Sequence, residues 1–214
     1  MDIKKTEVWI PDFSKTDDRD NPRTKFFGNP LGREGEWPIC SECDTPLMFV
    51  FQVNYGKFPK EVKEALGIEN GIAQLYYCAV CHYGSKCWDA YEWGYYLHGR
   101  FLEGDDLVPI ISPLTGNTGD LADDVREFGT FYLTAESNVL SNLEREEEVA
   151  NSLGPKIGGN YHESSRFHCS KCNKKLKFIL AFHNYDFWSE PGIWMFQCPD
   201  HPEYIDIITE MFSG

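Results

Sequence analysis

Two related halves, packed as one body and each built on a zinc-ribbon-like pair of cysteine knuckles between short strands, are what this sequence predicts. Three observations lead there. First, Cys40-Ser-Glu-Cys43 is followed by Cys78-x2-Cys81, and Cys169-Ser-Lys-Cys172 is followed by Cys198-x2-His201. Second, short β-prone runs leave the first knuckle of each half and enter the second. Third, the first half returns in order. Lys25-Phe-Phe-Gly28-Asn29 is echoed by Lys156-Ile-Gly-Gly159-Asn160, Cys40-x2-Cys43 by Cys169-x2-Cys172, and Leu47 and Phe49-Val50 by Leu176 and Phe178-Ile179. The offset is 131 residues at the glycines and 129 at the cysteines, which one short gap reconciles. Three echoes in order predict an internal duplication, too short for a solenoid.

The elements follow in chain order. Residues 11–24 are polar, charged and Pro-containing, and read as an irregular arm. Asn29-Pro30-Leu31-Gly32-Arg33-Glu34-Gly35 is a turn-rich loop. Leu47 to Val53 is a short apolar run, which predicts a buried strand. Pro59 to Leu66 predicts a short helix that starts near Pro59 and stops at Gly67. Ile72 to Val80 reads as the next strand and runs straight into a cysteine pair. Residues 112–124 are turn-rich and acidic, the best internal boundary. Phe128 to Leu133 predicts a strand. Ser141 to Leu153 predicts a helix, because Ser141 and Glu144 have capping-box spacing and Gly154-Pro155 ends it. The division expected is therefore an N-terminal half over 1–111, an acidic connecting segment over 112–154 and a C-terminal half over 155–214.

The cysteines carry the chemistry. Two residues between ligands let a tight turn aim both side chains at one ion, while its amides donate to the thiolate sulfurs. Two such turns supply four ligands, the number zinc takes in a tetrahedron. The first half offers Cys40, Cys43, Cys78 and Cys81; the second offers Cys169, Cys172, Cys198 and His201. Four protein ligands leave no open position for water or substrate, so both sites are expected to be structural. Iron in an all-cysteine site is the inorganic alternative, more plausible for the first group than for the second with its His201. Cys87 has no counterpart in the repeat and reads as a small buried apolar residue. His82 and His168 adjoin ligand cysteines and stand as alternatives for substitution. His98, His162 and His183 lack metal spacing and read as ordinary hydrogen-bonded or surface histidines.

Composition narrows the function. The chain has 214 residues, 20 Lys+Arg against 34 Asp+Glu, and a net charge of -14. That field disfavours sequence-independent binding to nucleic acid and favours a basic protein partner. Lys171, Lys174, Lys175 and Lys177, with the aromatic residues after them, are the feature that points the other way. Mean hydropathy is -0.44, and no apolar run approaches the ~18 residues of a membrane helix. Met1-Asp2-Ile3-Lys4-Lys5 leads into no apolar stretch, so no secretory leader and a cytosolic location are expected. No HExxH, GxSxG, Walker A or Rossmann glycine pattern is present in the sequence. The aromatic stretch with Trp88, Tyr91, Trp93, Tyr95 and Tyr96 reads chiefly as core packing, with a binding surface as the alternative. The acidic stretches over 103–124 and 144–148 would accompany such a surface.

Cys40-Ser-Glu-Cys43-Asp-Thr-Pro46-Leu47-Met48-Phe49-Val50-Phe51-Gln52-Val53 resembles the "CxxCgxPLxFLxQv" pattern of the YwqG-like bacterial proteins. It is also similar to the eukaryotic programmed cell death protein 2 group. Lys25-Phe-Phe-Gly28-Asn29-Pro30 resembles that superfamily's "K-x-G-G-x-P" motif, with Phe27 in place of one glycine, and Lys156-Ile-Gly158-Gly159 matches it again. Trp37-Pro38 fits the same pattern. The second half departs from the "PLxFLxQ" ending. The resemblance spans about residues 24–101 and 155–212. It implies a β-rich α+β fold of two related halves in one body. It also implies a protein-binding, chaperone-like role toward a basic client such as a ribosomal protein. An immunity protein that neutralises a basic toxin, or an enzyme with an unrecognised site, are the competing readings.

Overall fold

A computed structural model describes residues 6–10, 13–16, 18–58, 60–78, 80–81, 97–114, 130–133, 139–143, 156–157, 167–182 and 192–210. The chain is strand-rich with few helices: among the described residues there are fourteen strands, one α-helix and one 3-10 turn. No helix among them is long and apolar enough to cross a membrane. The chain forms two compact units. Unit I comprises Phe13–Lys57 and Asn70–Leu133; unit II comprises Met1–Asp12, Phe58–Glu69 and Thr134–Gly214. The units interleave along the chain, so neither coincides with a sequence block such as 1–111 or 155–214.

The strands of unit I are β2 (Phe13–Thr16), β3 (Lys25–Phe26), β4 (Leu31–Gly32), β5 (Met48–Asn54), β6 (Ile72–Tyr77), β7 (Leu97–Leu102), β8 (Val108–Pro109) and β9 (Thr130–Leu133). Six of them form one sheet in the order β2-β9-β3-β5-β6-β7, and β4 pairs with β8. The apolar run at 47–53 becomes β5. Every residue of β5 but its last, and every residue of β6, is buried, so these central strands are covered on both faces. Phe26 and Phe51 stack with centroids 4.4 Å apart, and Phe49 meets Tyr76 at 5.6 Å.

Unit II contains β1 (Thr6–Ile10), α1 (Lys60–Leu66), β10 (Val139–Leu143), β11 (Lys156–Ile157), β12 (Lys177–Phe182), β13 (Gly192–Gln197) and β14 (Ile205–Glu210). Its sheet has the order β10-β1-β11-β12-β13-β14. The predicted helix α1 ends at Gly67, whose φ of 72° is the left-handed stop a glycine allows. Two expectations are corrected. The helix expected over 141–153 does not begin at Ser141: Ser141–Leu143 lie in β10, paired register by register with Thr6–Val8 of β1. A partner strand distant in sequence overrides the local capping signal. Residues 144–153 lie outside the described residues. The arm over 11–24 is not wholly irregular either, because β2 within it pairs with β9.

A buried polar set fixes the loop before β5. Lys25 is fully buried, and its ammonium donates to the carbonyls of Arg19 at 2.8 Å and Asn29 at 2.6 Å. Gln52 Nε2 donates to the Arg23 carbonyl at 2.8 Å, while its Oε1 accepts from the Leu31 amide at 3.0 Å. Gln74 donates to the Leu31 carbonyl and accepts from the Tyr76 hydroxyl. Phe27 has φ 58° yet is only 2% exposed. The left-handed backbone costs about 1–2 kcal/mol, and burying the ring returns about 1.5–3 kcal/mol.

Burial lowers the Lys25 pKa to about 8, against the raising effect of Asp20 and Asp18. Between pH 8 and 10.5 the unfolded chain holds a proton that the folded chain has lost. Stability from this group is therefore flat below pH 8 and rises with pH through that window, by about 3 kcal/mol at most. The neutral amine keeps two N–H groups for its two carbonyls. Denaturant unfolding at pH 7.5 and 10 is expected to show this gain in the wild type and not in Lys25→Met. Parallel pH profiles for the two would refute the assignment.

Candidate metal centres

Each group begins with one turn, built the same way twice. In unit I, the Cys40 amide donates to the Thr45 carbonyl at 2.9 Å, the Asp44 amide to the Cys40 carbonyl at 3.0 Å, and the Leu47 amide to the Pro38 carbonyl at 3.0 Å. In unit II, the Cys169 amide donates to Lys174 at 2.8 Å, Asn173 to Cys169 at 2.8 Å, and Leu176 to Phe167 at 2.9 Å. Bridges Ile39–Pro46 and His168–Lys175 close the two turns. Asp44 and Asn173 both sit at φ 56°, the left-handed conformation their short polar side chains tolerate best among non-glycine residues. Each unit II residue lies 129 positions after its counterpart.

Sheet pairing delivers the second turn. Met48 of β5 stands opposite Tyr77 of β6, so Cys78 leaves the sheet beside the first knuckle. Lys177 of β12 stands opposite Gln197 of β13, and Cys198 leaves in the same way. The Cys81 amide then points at Cys78 Sγ, 3.4 Å away. In unit II the Cys198 amide donates to the Tyr204 carbonyl at 3.1 Å and the Tyr204 amide to the His201 carbonyl at 2.8 Å, closing the loop that carries His201.

The structure brings all eight predicted ligands together as two sets. Cys40, Cys43, Cys78 and Cys81 form one; Cys169, Cys172, Cys198 and His201 form the other; within each, the donor atoms lie within 4.8 Å of one another. The Sγ–Sγ separations are 3.7 Å for Cys40–Cys81, 3.4 Å for Cys43–Cys78 and 3.7 Å for Cys172–Cys198. His201 Nδ1 lies 3.7 Å from Cys169 Sγ and 3.8 Å from Cys198 Sγ. Ligands about 2.3 Å from a tetrahedral ion stand roughly 3.8 Å apart, so both donor sets fit such an ion. The seven described cysteines are free thiols. His168 is exposed and outside its set; Cys87 and His82 lie outside the described residues.

The thiols are unequal. The Thr45 hydroxyl, followed by its amide and the neighbouring thiols, outweighs burial and brings Cys43 down to about 7. Burial pushes Cys169 up, but the amides of Cys172 and Lys171 and the nearby thiols outweigh it and bring it to about 7. Burial raises Cys78 and Cys198 to about 11, and raises Cys81 further. Without a cation such a cluster retains protons; a divalent ion would convert the set to thiolates. The arrangement therefore suits holding a metal ion by four protein donors, with no position left over for a substrate.

The shell around the unit II set is hydrophobic. Cys169 and Cys198 belong to a cluster with Leu176, Phe178, Trp194 and Phe196, against which Phe167 and Tyr204 pack. In unit I, His98 of β7 places Nε2 3.7 Å from Cys40 Sγ, half-buried, with its pKa lowered by burial. Its spacing in the sequence gave no metal signal; only the pairing of β7 with β6, which sets His98 opposite Tyr76, puts it there. Lys171 and Lys174, part of the basic cluster that hinted at nucleic acid, form ion pairs with Glu203 and Asp200 across the unit II knuckles. Trp88, Tyr91, Trp93, Tyr95 and Tyr96 lie outside the described residues. No protein-family model matches this chain, and no curated protein matches it.

Proposed function

We propose that this chain is a zinc-stabilised, cytosolic protein-binding or chaperone-like module for a basic client, related to the YwqG-like and programmed cell death protein 2 groups. The observation that carries the reading is the acidic face of unit I. Glu34, Glu36, Glu42, Asp44, Glu103, Asp105 and Asp106 are all exposed. Arg33 joins the loops of Glu34–Glu36 and Glu103–Asp106, reaching Asp106 at 3.8 Å and the Glu103 carbonyl at 3.3 Å. Such a face attracts a basic surface and repels phosphate. The closed donor sets support structural zinc, and His201 favours zinc over iron in unit II.

An origin by duplication belongs to this reading. The matched turns support it, and so do the sheets. Lys25 pairs with Gln52, and Lys156 pairs with Ala181, which lies 129 positions after Gln52. The register slips between Phe49 and Phe51 in β5 and between Phe178 and Leu180 in β12, again 129 positions apart.

The test is a native pull-down with the intact protein as bait, washed at low and high salt and read by mass spectrometry, alongside elemental analysis. The expected outcome is one stoichiometric basic partner weakened by salt, and two zinc ions per chain. A ribosomal protein would point to a chaperone and a secreted toxin to immunity. No enriched partner in either wash would overturn the binding role.

A further inference from the structure

Beside the first knuckle, unit I holds a cleft of about 540 Å³, within the roughly 300–1,000 Å³ typical of ligand-holding clefts. Tyr76 contributes to its lining, its hydroxyl turned to Gln74 at 3.0 Å. Trp37, Pro38 and Ile39 form one wall, and the backbone of β7 around Gly99 forms the other. The Trp37 indole N–H is spent on the Leu47 carbonyl at 2.8 Å, so that wall offers apolar surface. Ile39 is 50% exposed, and Val80, in the second knuckle of the same metal set, is 52% exposed. These are two of four large apolar side chains exposed among the described residues, and both precede a ligand cysteine.

Beside this cleft the carboxylates outnumber the cations: Glu34, Glu36, Glu42 and Asp44 stand against Arg33 and Arg100. Glu36 lines it and pairs with Arg100 at 2.9 Å and with Arg33 at 3.9 Å, so its charge is met within unit I. Glu42 and Asp44 project from the knuckle, and Glu34 from the adjoining loop, all exposed. The matched knuckle of unit II is reversed: Lys171 stands 129 positions after Glu42, and its charge is met within the unit by Glu203. The repeated turn is thus acidic with an open cleft in unit I, and internally compensated in unit II.

We infer that the unit I cleft is a peptide seat, taking a short segment of basic protein chain with one large apolar side chain between Trp37 and β7 and flanking Lys or Arg facing Glu34, Glu42 and Asp44. This rests on the basic-client reading and names the surface that would perform it. The apolar anchor fills the cleft, and the flanking cations select acidic unit I over unit II.

The test uses the full-length, metal-loaded protein and a fluorescein-labelled KKFRK peptide, with KKSRK as the probe lacking the anchor. Saturable binding of KKFRK is expected, with a shift of the Trp37 indole NMR signal. Ile39→Arg is expected to weaken it at least about tenfold, the equivalent of about 1.4 kcal/mol. Glu36→Gln, which leaves the Arg100 charge uncompensated in the cleft, should weaken it about threefold, and Ile111→Arg, at a side chain 80% exposed elsewhere, should leave it unchanged. Metal content and melting are recorded for each variant, and Glu36→Gln, farther from the ligands, serves if Ile39→Arg loses metal. The cleft is the wrong surface if KKSRK binds equally, if the wild type binds neither peptide, or if intact variants bind like the wild type. A partner captured equally by wild type and Ile39→Arg would overturn the cleft while leaving the basic-client reading standing; no captured partner at all would overturn that reading.

Discussion

Cys40→Ser is expected to release one metal ion per chain and unfold unit I, and Cys169→Ser to release the other and unfold unit II. The four donors of each set come from two turns at the ends of paired strands, so a bound ion would tie those strands together where the sheet ends. Cys40, Cys78, Cys169 and Cys198 are buried at the heart of the sets. A serine there weakens the hold on the ion and leaves three partnerless donors facing one another. Structural zinc contributes about 10–16 kcal/mol apparent in small peptides. A net loss of even about 5 kcal/mol would take a large share of a domain's ordinary 5–15 kcal/mol and lower the melting temperature by roughly 10–20 °C. Elemental analysis with thermal melts checks this, with a chelator series on the wild type as companion. Wild-type melting in both serine variants would end the case for structural metal.

Cutting the chain between Ile111 and Ser112 is expected to leave two fragments that are insoluble apart and form a one-to-one complex when co-expressed. The reason is strand exchange along the sequence. The first fragment keeps β2, β3, β5, β6 and β7 but lacks β9, which lies between β2 and β3. The second keeps β10 to β14 but lacks β1, which lies between β10 and β11. Each fragment therefore carries an interrupted sheet with exposed edges, a route to aggregation. Together they restore both sheets. Size-exclusion chromatography of the co-expressed pair, followed by mass spectrometry, measures the outcome. Two separately soluble, cooperatively melting fragments would contradict it.

The metal sets were legible in the sequence because a two-residue spacing is a local property. The turn that aims Cys40 and Cys43 closes within Pro38 to Leu47, and its copy closes within Phe167 to Leu176. The strands expected over 47–53 and from Ile72 were legible for a similar reason, since a short apolar run buried on both faces needs no partner to be recognised, although the second ends at Tyr77 and not at Val80. Ser141 misled because a capping box describes a helix start only if nothing pairs with the segment first, and β1 does. His98 is not legible in this way because it lies 58 residues from Cys40 and reaches it only through the pairing of β7 with β6.

What the sequence determined by itself is the chemistry: two four-donor sets, a net charge of -14, and the matched runs that lead into each set. What only the tertiary structure decided is membership. It assigned β1 to the sheet of the second metal set and β9 to that of the first. It turned Glu36 onto Arg100, opened the cleft beside Trp37, and met Lys171 with Glu203. Spacing within a turn is fixed by a few covalent bonds. Strand pairing and charge compensation join residues far apart in the chain, and are settled by which burial and hydrogen bonding the folded sheets can satisfy together.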